Sequence, residues 1–318
     1  MSFDRLQDRI DCMHNPTVVG LDPALEHIPP RILEKHIAEK GETLEAAAAA
    51  VYEFNMGLID ALCDVVPAVK PQSAYYEALG PEGVRALKMT CDYAKSKDMY
   101  TICDVKRNDI GSTASAYSAA YLGTVKVGGT QLRPFDVDAL TVNAYLGSDG
   151  IKPFIDTAVE YDKAIFVLVK TSNVSSGELQ DRMIGKRNNP FFCSLLSYRP
   201  LYTWVGDLVE KNAGDTVDKY GYTRVGAVVG ATYPEEAESL RARLKHTFFL
   251  VPGYGAQGGS AAEAARAFDK DRRGAIVNSS RAIIAAWKKT GGDYKESARD
   301  EALRMRDELR SALGTAGN

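Results

Sequence analysis

Two acids and a lysine lie within six residues of this sequence, where an apolar segment gives way to small residues. Asp104, Lys106 and Asp109 follow the apolar run 100–103 and precede segment 114–122, which predicts a helix. Because alternate residues of a strand point to the same face, Asp104 and Lys106 share a face if the strand continues to residue 106. Unpaired charges in a core would be costly, so the spacing favours a mutually paired cluster at a site. The plain alternative is a group of surface salt bridges.

Eight largely apolar segments alternate with segments that predict helices. Near-continuous apolar strands are typical of a parallel sheet that is buried on both faces. Because no change in composition marks a domain boundary, the pattern predicts a single (β/α)8 TIM barrel over residues 1–318. An open, doubly wound sheet is the structural alternative. The predicted strands are 17–22, 65–70, 100–106, 139–145, 164–172, 225–230, 247–251 and 274–278.

Further segments surround this predicted barrel. Helical spacing predicts a short helix over 3–14 and a long one over 43–64, and the polar connection 24–42 is expected to be irregular or partly helical. The polar stretch 173–200 predicts a long loop insertion after the fifth strand, to which no role is assigned. A helix over 294–313 closes the chain.

The composition limits the class of protein. With 318 residues, 45% hydrophobic and 25% charged, and a net charge of −3, the chain lacks the basic character of a nucleic-acid binder. No run of 18 apolar residues predicts a membrane span, and residues 1–11 lack the apolar core of a signal peptide. The five cysteines are dispersed, as expected for reduced thiols in the cytoplasm: Cys12, Cys63, Cys91, Cys103 and Cys193.

Polar side chains occur at or just after most of the predicted strand ends. Barrel enzymes place their chemistry at the carboxyl ends of the strands. Any one of these residues could be a cap or a packing residue. Together they indicate a site: Asp22, Lys70, Asp104, Lys106, Asn143, Thr171, Ser172, Gln257 and Arg281.

A glycine-rich loop follows the seventh predicted strand. Gly253, Gly255 and Gly258 match the spacing of a dinucleotide-binding fingerprint, but that site also needs an acidic residue about 20 positions later, where this chain has Asn-Ser-Ser. Barrels often bind phosphate in their last two loops, where free N–H groups favour an anion. The loop is therefore predicted to bind phosphate, with Gln257 as a donor and Arg281 as a bidentate partner.

Metal and histidine chemistry are not predicted. The four histidines have no ligand spacing, and none lies at a strand end, so neither a metal site nor a Ser-His-Asp or Cys-His arrangement is expected. The histidines are His14, His27, His36 and His246.

Four segments, in order along the chain, resemble the signature of the orotidine 5'-phosphate decarboxylase family. They are Val-Gly-Leu-Asp-Pro at 19–23, Asp-x-Lys-x-x-Asp-Ile-x-x-Thr at 104–113, Pro-Gly-x-Gly-Ala-Gln-Gly-Gly at 252–259, and the segment around Arg281. The length, the alanine-rich helix and the run 70–77 are similar to the longer bacterial subfamily.

This resemblance implies a cofactor-free and metal-free enzyme that converts orotidine 5'-monophosphate to uridine 5'-monophosphate in the last step of pyrimidine nucleotide synthesis. It implies an alternating charged array of Lys70, Asp104, Lys106 and Asp109. Lys106 would give a proton to C6 as carbon dioxide leaves, with Asp104 near the substrate carboxylate. Asp109 and Thr113 would reach into the site of a partner subunit, which implies a homodimer.

The same resemblance assigns the remaining contacts. Asp22 would bind the ribose, Ser172 the pyrimidine, and Gln257 and Arg281 the phosphate. The fifth strand end aligns loosely, which leaves the pyrimidine contact open between Ser172 and Thr171.

Two other functions stay open at this point. A magnesium-dependent sugar-phosphate decarboxylase or aldolase of the same barrel group would need an acidic metal ligand at the second strand end, where this chain has Lys70. A non-catalytic nucleotide-binding barrel would not need the complete charged array.

Overall fold

The computed structural model describes residues 1–185, 198–214, 216–255 and 258–314. Eight parallel strands close into a barrel in the order in which they occur along the chain, which confirms the predicted (β/α)8 architecture and excludes the open sheet. The strands are β1 (Thr17–Leu21), β2 (Ala68–Pro71), β3 (Tyr100–Arg107), β4 (Ala139–Val142), β5 (Ala164–Lys170), β6 (Val225–Val229), β7 (Phe249–Val251) and β8 (Ala275–Ser279).

Helices cover the outside of this barrel. Several begin at a capping side chain: the Thr43 hydroxyl accepts from the Ala46 N–H, and Ser260 and Glu263 form a capping box. The helices of the described residues are α1 (Ser2–Met13), α2 (Pro30–Lys40), α3 (Leu44–Leu62), α4 (Ser73–Glu77), α5 (Gly80–Ser96), α6 (Gly111–Tyr121), α7 (Ser148–Glu160), α8 (Leu201–Asn212), α9 (Pro234–Arg243), α10 (Ala261–Ala265), α11 (Arg281–Ile284), α12 (Trp287–Thr290) and α13 (Tyr294–Ala312).

Alternate strand residues fill two different parts of the core. Val19 and Cys103 belong to the layer between strands and helices, whereas Val18 and Ile102 belong to the cluster inside the barrel. This alternation follows from the pleat of the strand. It also fixes which residues further along each strand point inward.

Helix α1 closes the amino end of the barrel. The Phe3 ring packs inside, with its centroid 4.9 Å from that of Phe248 and 5.1 Å from that of Phe166. The Ser2 hydroxyl lies 2.7 Å from the hydroxyl of Tyr100, the first residue of β3. Because this end is filled, the open end of the barrel is the one at the carboxyl ends of its strands.

Two strands end at least two residues earlier than predicted. The expectation that the fourth strand continues to residue 145 is wrong, because the Asn143 side chain accepts from the Tyr145 N–H and turns the chain after Val142. The fifth strand ends at Lys170 instead of residue 172, because the Thr171 N–H donates to the side chain of Gln180.

The polar connections contain more structure than expected. Segment 24–42 holds helix α2 and a short 3-10 helix, Leu25–His27. The insertion after β5 holds a 3-10 helix, Val174–Glu178, and an antiparallel pair of short strands, Met183–Gly185 and Tyr198–Pro200. A second short hairpin, Val125–Val127 with Thr130–Leu132, precedes β4.

Candidate active site

A cavity of about 840 Å³ opens at the carboxyl ends of the strands. Lys70 and Asp104 point into it because each lies two residues after an inward-facing residue, Ala68 and Ile102. The sequence-predicted site residues that line the cavity are Asp22, Lys70, Asp104, Lys106, Thr171, Ser172 and Arg281.

Asp104 joins two lysines at the centre of this cavity. Its Oδ2 lies 2.7 Å from Lys70 Nζ, and its Oδ1 lies 2.5 Å from Lys106 Nζ. The side chains of Lys70 and Asp104 are 6% and 9% exposed, whereas that of Lys106 is 45% exposed. The array therefore has a buried cation, a buried anion and a second cation that a ligand in the cavity can reach.

The electrostatics of the array keep it charged. Burial of Asp104 opposes its ionisation, but the charges of Lys70 and Lys106 and hydrogen bonds from both hold its pKa well below the usual range. Burial of Lys70 opposes its charge, but Asp104 and Asp22 raise its pKa above the usual value. The ion pairs are thus formed by the side chains of the protein itself.

Two residues that were not predicted as site residues from the sequence complete the shell around Asp104. Gln72 Nε2 donates to Asp104 Oδ2 at 2.9 Å, and Thr141 Oγ1 donates to Asp104 Oδ1 at 2.8 Å. Both line the cavity. The available signal was strand alternation, because Gln72 lies two residues after Lys70 and Thr141 two residues before Asn143.

Two buried acceptor atoms at the β1 and β8 ends lack a partner. The Oδ1 atoms of Asp22 and Asn278 are among the buried side-chain atoms of the described residues that have no hydrogen bond. Asp22 and Asn278 both line the cavity. An unpaired buried acceptor is costly, so a ligand that brings hydroxyl groups here would satisfy both.

Gly20 allows β1 and β8 to approach each other beside this pair. A Cβ atom at Gly20 would lie 1.8 Å from Ser280 Oγ, 2.8 Å from Ser280 Cβ and 3.1 Å from Asn278 Oδ1. We expect Gly20→Ala to lower the free energy of unfolding by about 1–3 kcal/mol, as overpacking does. Urea unfolding measures this effect.

The control for this substitution is Gly129→Ala, because a Cβ atom at Gly129 would meet no atom within 4 Å. An unchanged stability of Gly20→Ala would show that the β1–β8 contact relaxes without cost.

The glycine-rich loop after β7 forms one wall of the cavity. Gly253, Gly255 and Gly258 have φ angles of 98°, 73° and 99°, which favour glycine. The Gly255 N–H donates to the Gly259 carbonyl at 2.8 Å, and the Tyr254 hydroxyl donates to Glu308 of α13. Gln257 lies outside the described residues, so its role stays a prediction. Arg281 begins helix α11 beside the loop.

The end of β5 is tied to the insertion by a buried lysine. Lys170 is fully buried, with Nζ 2.5 Å from Asp181 Oδ1 and 4.1 Å from the centroid of the Tyr233 ring. Thr171 Oγ1 accepts from Gln180 Nε2 at 2.7 Å. Thr171 and Ser172 both line the cavity, so the choice between them as the pyrimidine contact stays open.

Three predicted residues lie apart from this cluster. Asp109 is half-buried on the loop after β3, where its Oδ1 accepts from the Ile110 N–H at 2.8 Å. Thr113 is exposed in the first turn of α6, and Asn143 forms the turn after β4. None of the three lines the cavity described here. The prediction that Asp109 and Thr113 serve a partner subunit stays open.

Across the described ranges, no group of three His, Cys, Asp or Glu side chains is placed to hold a metal ion. None of the described helices is both long and apolar enough to cross a membrane.

Comparisons with known proteins agree on one family. Residues 18–190 match the model of the orotidine 5'-phosphate decarboxylase / HUMPS family. Orotidine 5'-phosphate decarboxylase of Rhodopirellula baltica is 40% identical over 92% of this chain and 94% of its own length. The Caldicellulosiruptor bescii enzyme of the same name is 37% identical over 98% of both chains.

A solved structure agrees with these sequences. The Leishmania donovani OMP decarboxylase structure covers 96% of this chain and 98% of its own, with a TM-score of 0.69 and 29% identity. The family match and the identity to full-length relatives show that this chain belongs to the orotidine 5'-phosphate decarboxylase family.

Proposed function

We propose that this chain removes the carboxyl group of orotidine 5'-monophosphate and releases uridine 5'-monophosphate and carbon dioxide, the last step of de novo pyrimidine nucleotide synthesis. The observation that carries the proposal is the Lys70–Asp104–Lys106 array, which lies at the open end of a barrel in a chain of this family. The reaction in this proposal uses no cofactor and no metal ion.

The chemistry of the array fits this reaction. Loss of carbon dioxide leaves negative charge on C6 of the pyrimidine ring. A fixed ammonium group beside that carbon stabilises the charge as it develops and then quenches it by proton transfer. Lys106 is the group assigned to this role, because it is the exposed cation of the array.

Asp104 and Lys70 support Lys106 in this scheme. Asp104 accepts from both ammonium groups, so Lys106 does not have to reorganise when charge develops. Lys70 neutralises Asp104 from the buried side of the array. Asp104 lies near the substrate carboxylate, and the departure of carbon dioxide removes that neighbouring negative charge.

The rest of the cavity binds the nucleotide. Asp22 is assigned to the ribose, Ser172 or Thr171 to the pyrimidine, and Gln257 and Arg281 to the phosphate. The unpaired Oδ1 of Asp22 supports the ribose assignment, because ribose hydroxyls are donors. Phosphate contacts far from C6 contribute binding energy that can be used to position the reacting ring.

We propose that the chain acts as one domain, residues 1–318, within a cytoplasmic homodimer. Asp109 and Thr113 lie outside the cavity of their own subunit and would complete the site of the partner. The exposed side chains of Ile110 and Tyr145, 55% and 82% accessible, support an interface on this side of the barrel.

The test of the proposed function follows the ultraviolet absorbance of orotidine 5'-monophosphate with purified protein in excess chelator. We expect the orotate chromophore to disappear while uridine 5'-monophosphate forms. Activity that needs added magnesium would favour the metal-dependent barrel enzymes. Nucleotide binding without conversion under either condition would favour a non-catalytic barrel.

The phosphate assignment makes a separate prediction. We expect Arg281→Ala to weaken the affinity for uridine 5'-monophosphate about 100-fold, because a charge-assisted, bidentate contact is lost. The affinity for uridine, which has no phosphate, should change little. Titration calorimetry with both ligands measures the difference, and Arg85→Ala, an exposed arginine of α5, is the control. An equal loss for uridine would contradict the assignment.

A further inference from the structure

Strand β3 departs from regular pairing with β4 at its carboxyl end. It pairs with β4 at Cys103–Leu140 and next at Arg107–Val142, so β3 advances four residues while β4 advances two. The interval contains Asp104 and Lys106. Such a bulge leaves backbone N–H groups without their ladder partners and re-aims the side chains beside it.

Thr141 lies opposite this bulge, and its hydroxyl is the hydrogen-bond acceptor for two backbone N–H groups of the bulge. Its hydroxyl oxygen accepts from the N–H groups of Val105 at 3.0 Å and Lys106 at 2.9 Å. The same hydroxyl donates to Asp104 Oδ1 at 2.8 Å. A hydroxyl has one donor and two acceptor sites, so all three are in use. Thr141 is itself buried, at 1% exposure.

The backbone that Thr141 holds is strained. Lys106 has a φ angle of 47°, in the left-handed region that non-glycine residues rarely adopt. Such conformations cost roughly 1–3 kcal/mol and persist only where the surroundings hold them. In this bulge the Thr141 hydroxyl accepts from the Lys106 N–H and so holds the strained backbone. The same hydroxyl donates to the Asp104 carboxylate, which is paired with the Lys106 ammonium.

We propose that Thr141 is a positioning residue for decarboxylation. Its hydroxyl holds the β3 bulge and the Asp104 carboxylate, and through both it fixes the Lys106 ammonium at the reacting carbon. This inference rests on the proposed function, because it assigns a role in the same reaction. Thr141 does not act on the substrate itself, since its hydroxyl is fully engaged within the protein.

The test compares Thr141→Val, which keeps the branched shape and removes the hydroxyl, with Thr141→Ser, which keeps the hydroxyl. We expect Thr141→Val to lower kcat about 10–100-fold, as misplacement of a reacting group does, while KM and the affinity for uridine 5'-monophosphate change less than about threefold. Thr141→Ser should retain kcat within a few-fold of the wild type. This split between kcat and KM, with rescue by serine, would not follow from a purely structural role.

Two further variants keep the comparison decisive. If Thr141→Val does not fold, Thr141→Ser and Thr141→Ala differ only in the hydroxyl, and the serine variant should turn over at least about 10-fold faster. Thr90→Val is the control, because this buried threonine of α5 also hydrogen-bonds but lies away from the cavity. It should lose stability without a loss in kcat.

Different outcomes separate this inference from the proposed function. A wild-type kcat in Thr141→Val, or equal rates in the serine and alanine variants, would overturn the role of Thr141 and leave the decarboxylase function in place. An inactive wild-type protein would overturn both.

Discussion

Replacing Lys106 with alanine is expected to lower kcat for orotidine 5'-monophosphate by about 10⁴-fold or more. In the proposed mechanism the substitution removes both the cation that stabilises the developing charge and the acid that delivers the proton, and each contributes several powers of ten. Steady-state assays with high protein concentration measure the residual rate. Uridine 5'-monophosphate should still bind, because Asp22, Ser172 and Arg281 remain in place.

Two further variants make the Lys106 experiment specific. Lys106→Arg keeps a cation but replaces the proton donor with a group that does not deprotonate in proteins, so it should remain nearly inactive. Lys126→Ala, an exposed lysine of the hairpin before β4, should behave as wild type. Near-normal turnover of Lys106→Ala would remove Lys106 as the proton donor.

Replacing Asp104 with asparagine is expected to lower the free energy of unfolding at pH 7 by about 3–5 kcal/mol. The substitution removes the carboxylate that is directly paired with the buried Lys70, and breaking a buried ion pair on one side has this magnitude. Turnover should fall as well, because Lys106 loses the acceptor that holds its ammonium. Urea unfolding monitored by circular dichroism measures the stability term.

The pH dependence of this loss has a definite sign. Because the lysines hold the folded-state pKa of Asp104 below its unfolded value, the carboxylate contributes stability above the unfolded pKa near about 4. That contribution is lost as the pH falls toward the folded pKa. The difference between wild type and Asp104→Asn should therefore shrink below about pH 4.

Asp92→Asn is the matched control for Asp104→Asn, since it removes a carboxylate from an exposed pair with Lys88 on helix α5. Exposed pairs contribute about 0–1 kcal/mol, so this variant should lose little stability. Equal losses in the two variants, or a difference that does not change with pH, would contradict the role given to the buried pair.

The barrel could be predicted from the sequence because its strands are easily recognised as short apolar runs. A parallel strand with both faces buried is an apolar run of limited length, and β5 and β6 are such runs. The chain direction then brings all carboxyl ends to one side of the barrel. For that reason Lys70, Asp104 and Arg281, which are far apart in sequence, could be expected at one cavity before the structure was known.

The contacts that could not be predicted from the sequence depend on the register between neighbouring strands. Thr141 is an ordinary strand residue until β3 shifts by two positions against β4 and places two N–H groups opposite its hydroxyl. Nothing in the local composition encodes that shift. The lengths of two strands were overestimated for a similar reason, because the Asn143 side chain accepts from the Tyr145 N–H and the Thr171 N–H donates to the Gln180 side chain.

Helix α2 was only partly expected because its apolar face is narrow. In that segment Pro29 and Pro30 suggested an irregular connection, and Ile32 is the buried residue of the helix. Proline at the first helical position instead begins the helix, since the N–H it lacks would have had no intrahelical partner.

The proposed decarboxylation can be tested by following the carboxyl group and the C6 hydrogen in one reaction. Carboxyl-labelled orotidine 5'-monophosphate is turned over in heavy water, released carbon dioxide is counted, and the nucleotide product is examined by proton NMR. We expect one labelled carbon dioxide for each uridine 5'-monophosphate and deuterium at C6, delivered through the exchangeable ammonium of Lys106. A label that stays in the nucleotide, or a C6 position that carries no solvent hydrogen, would contradict it.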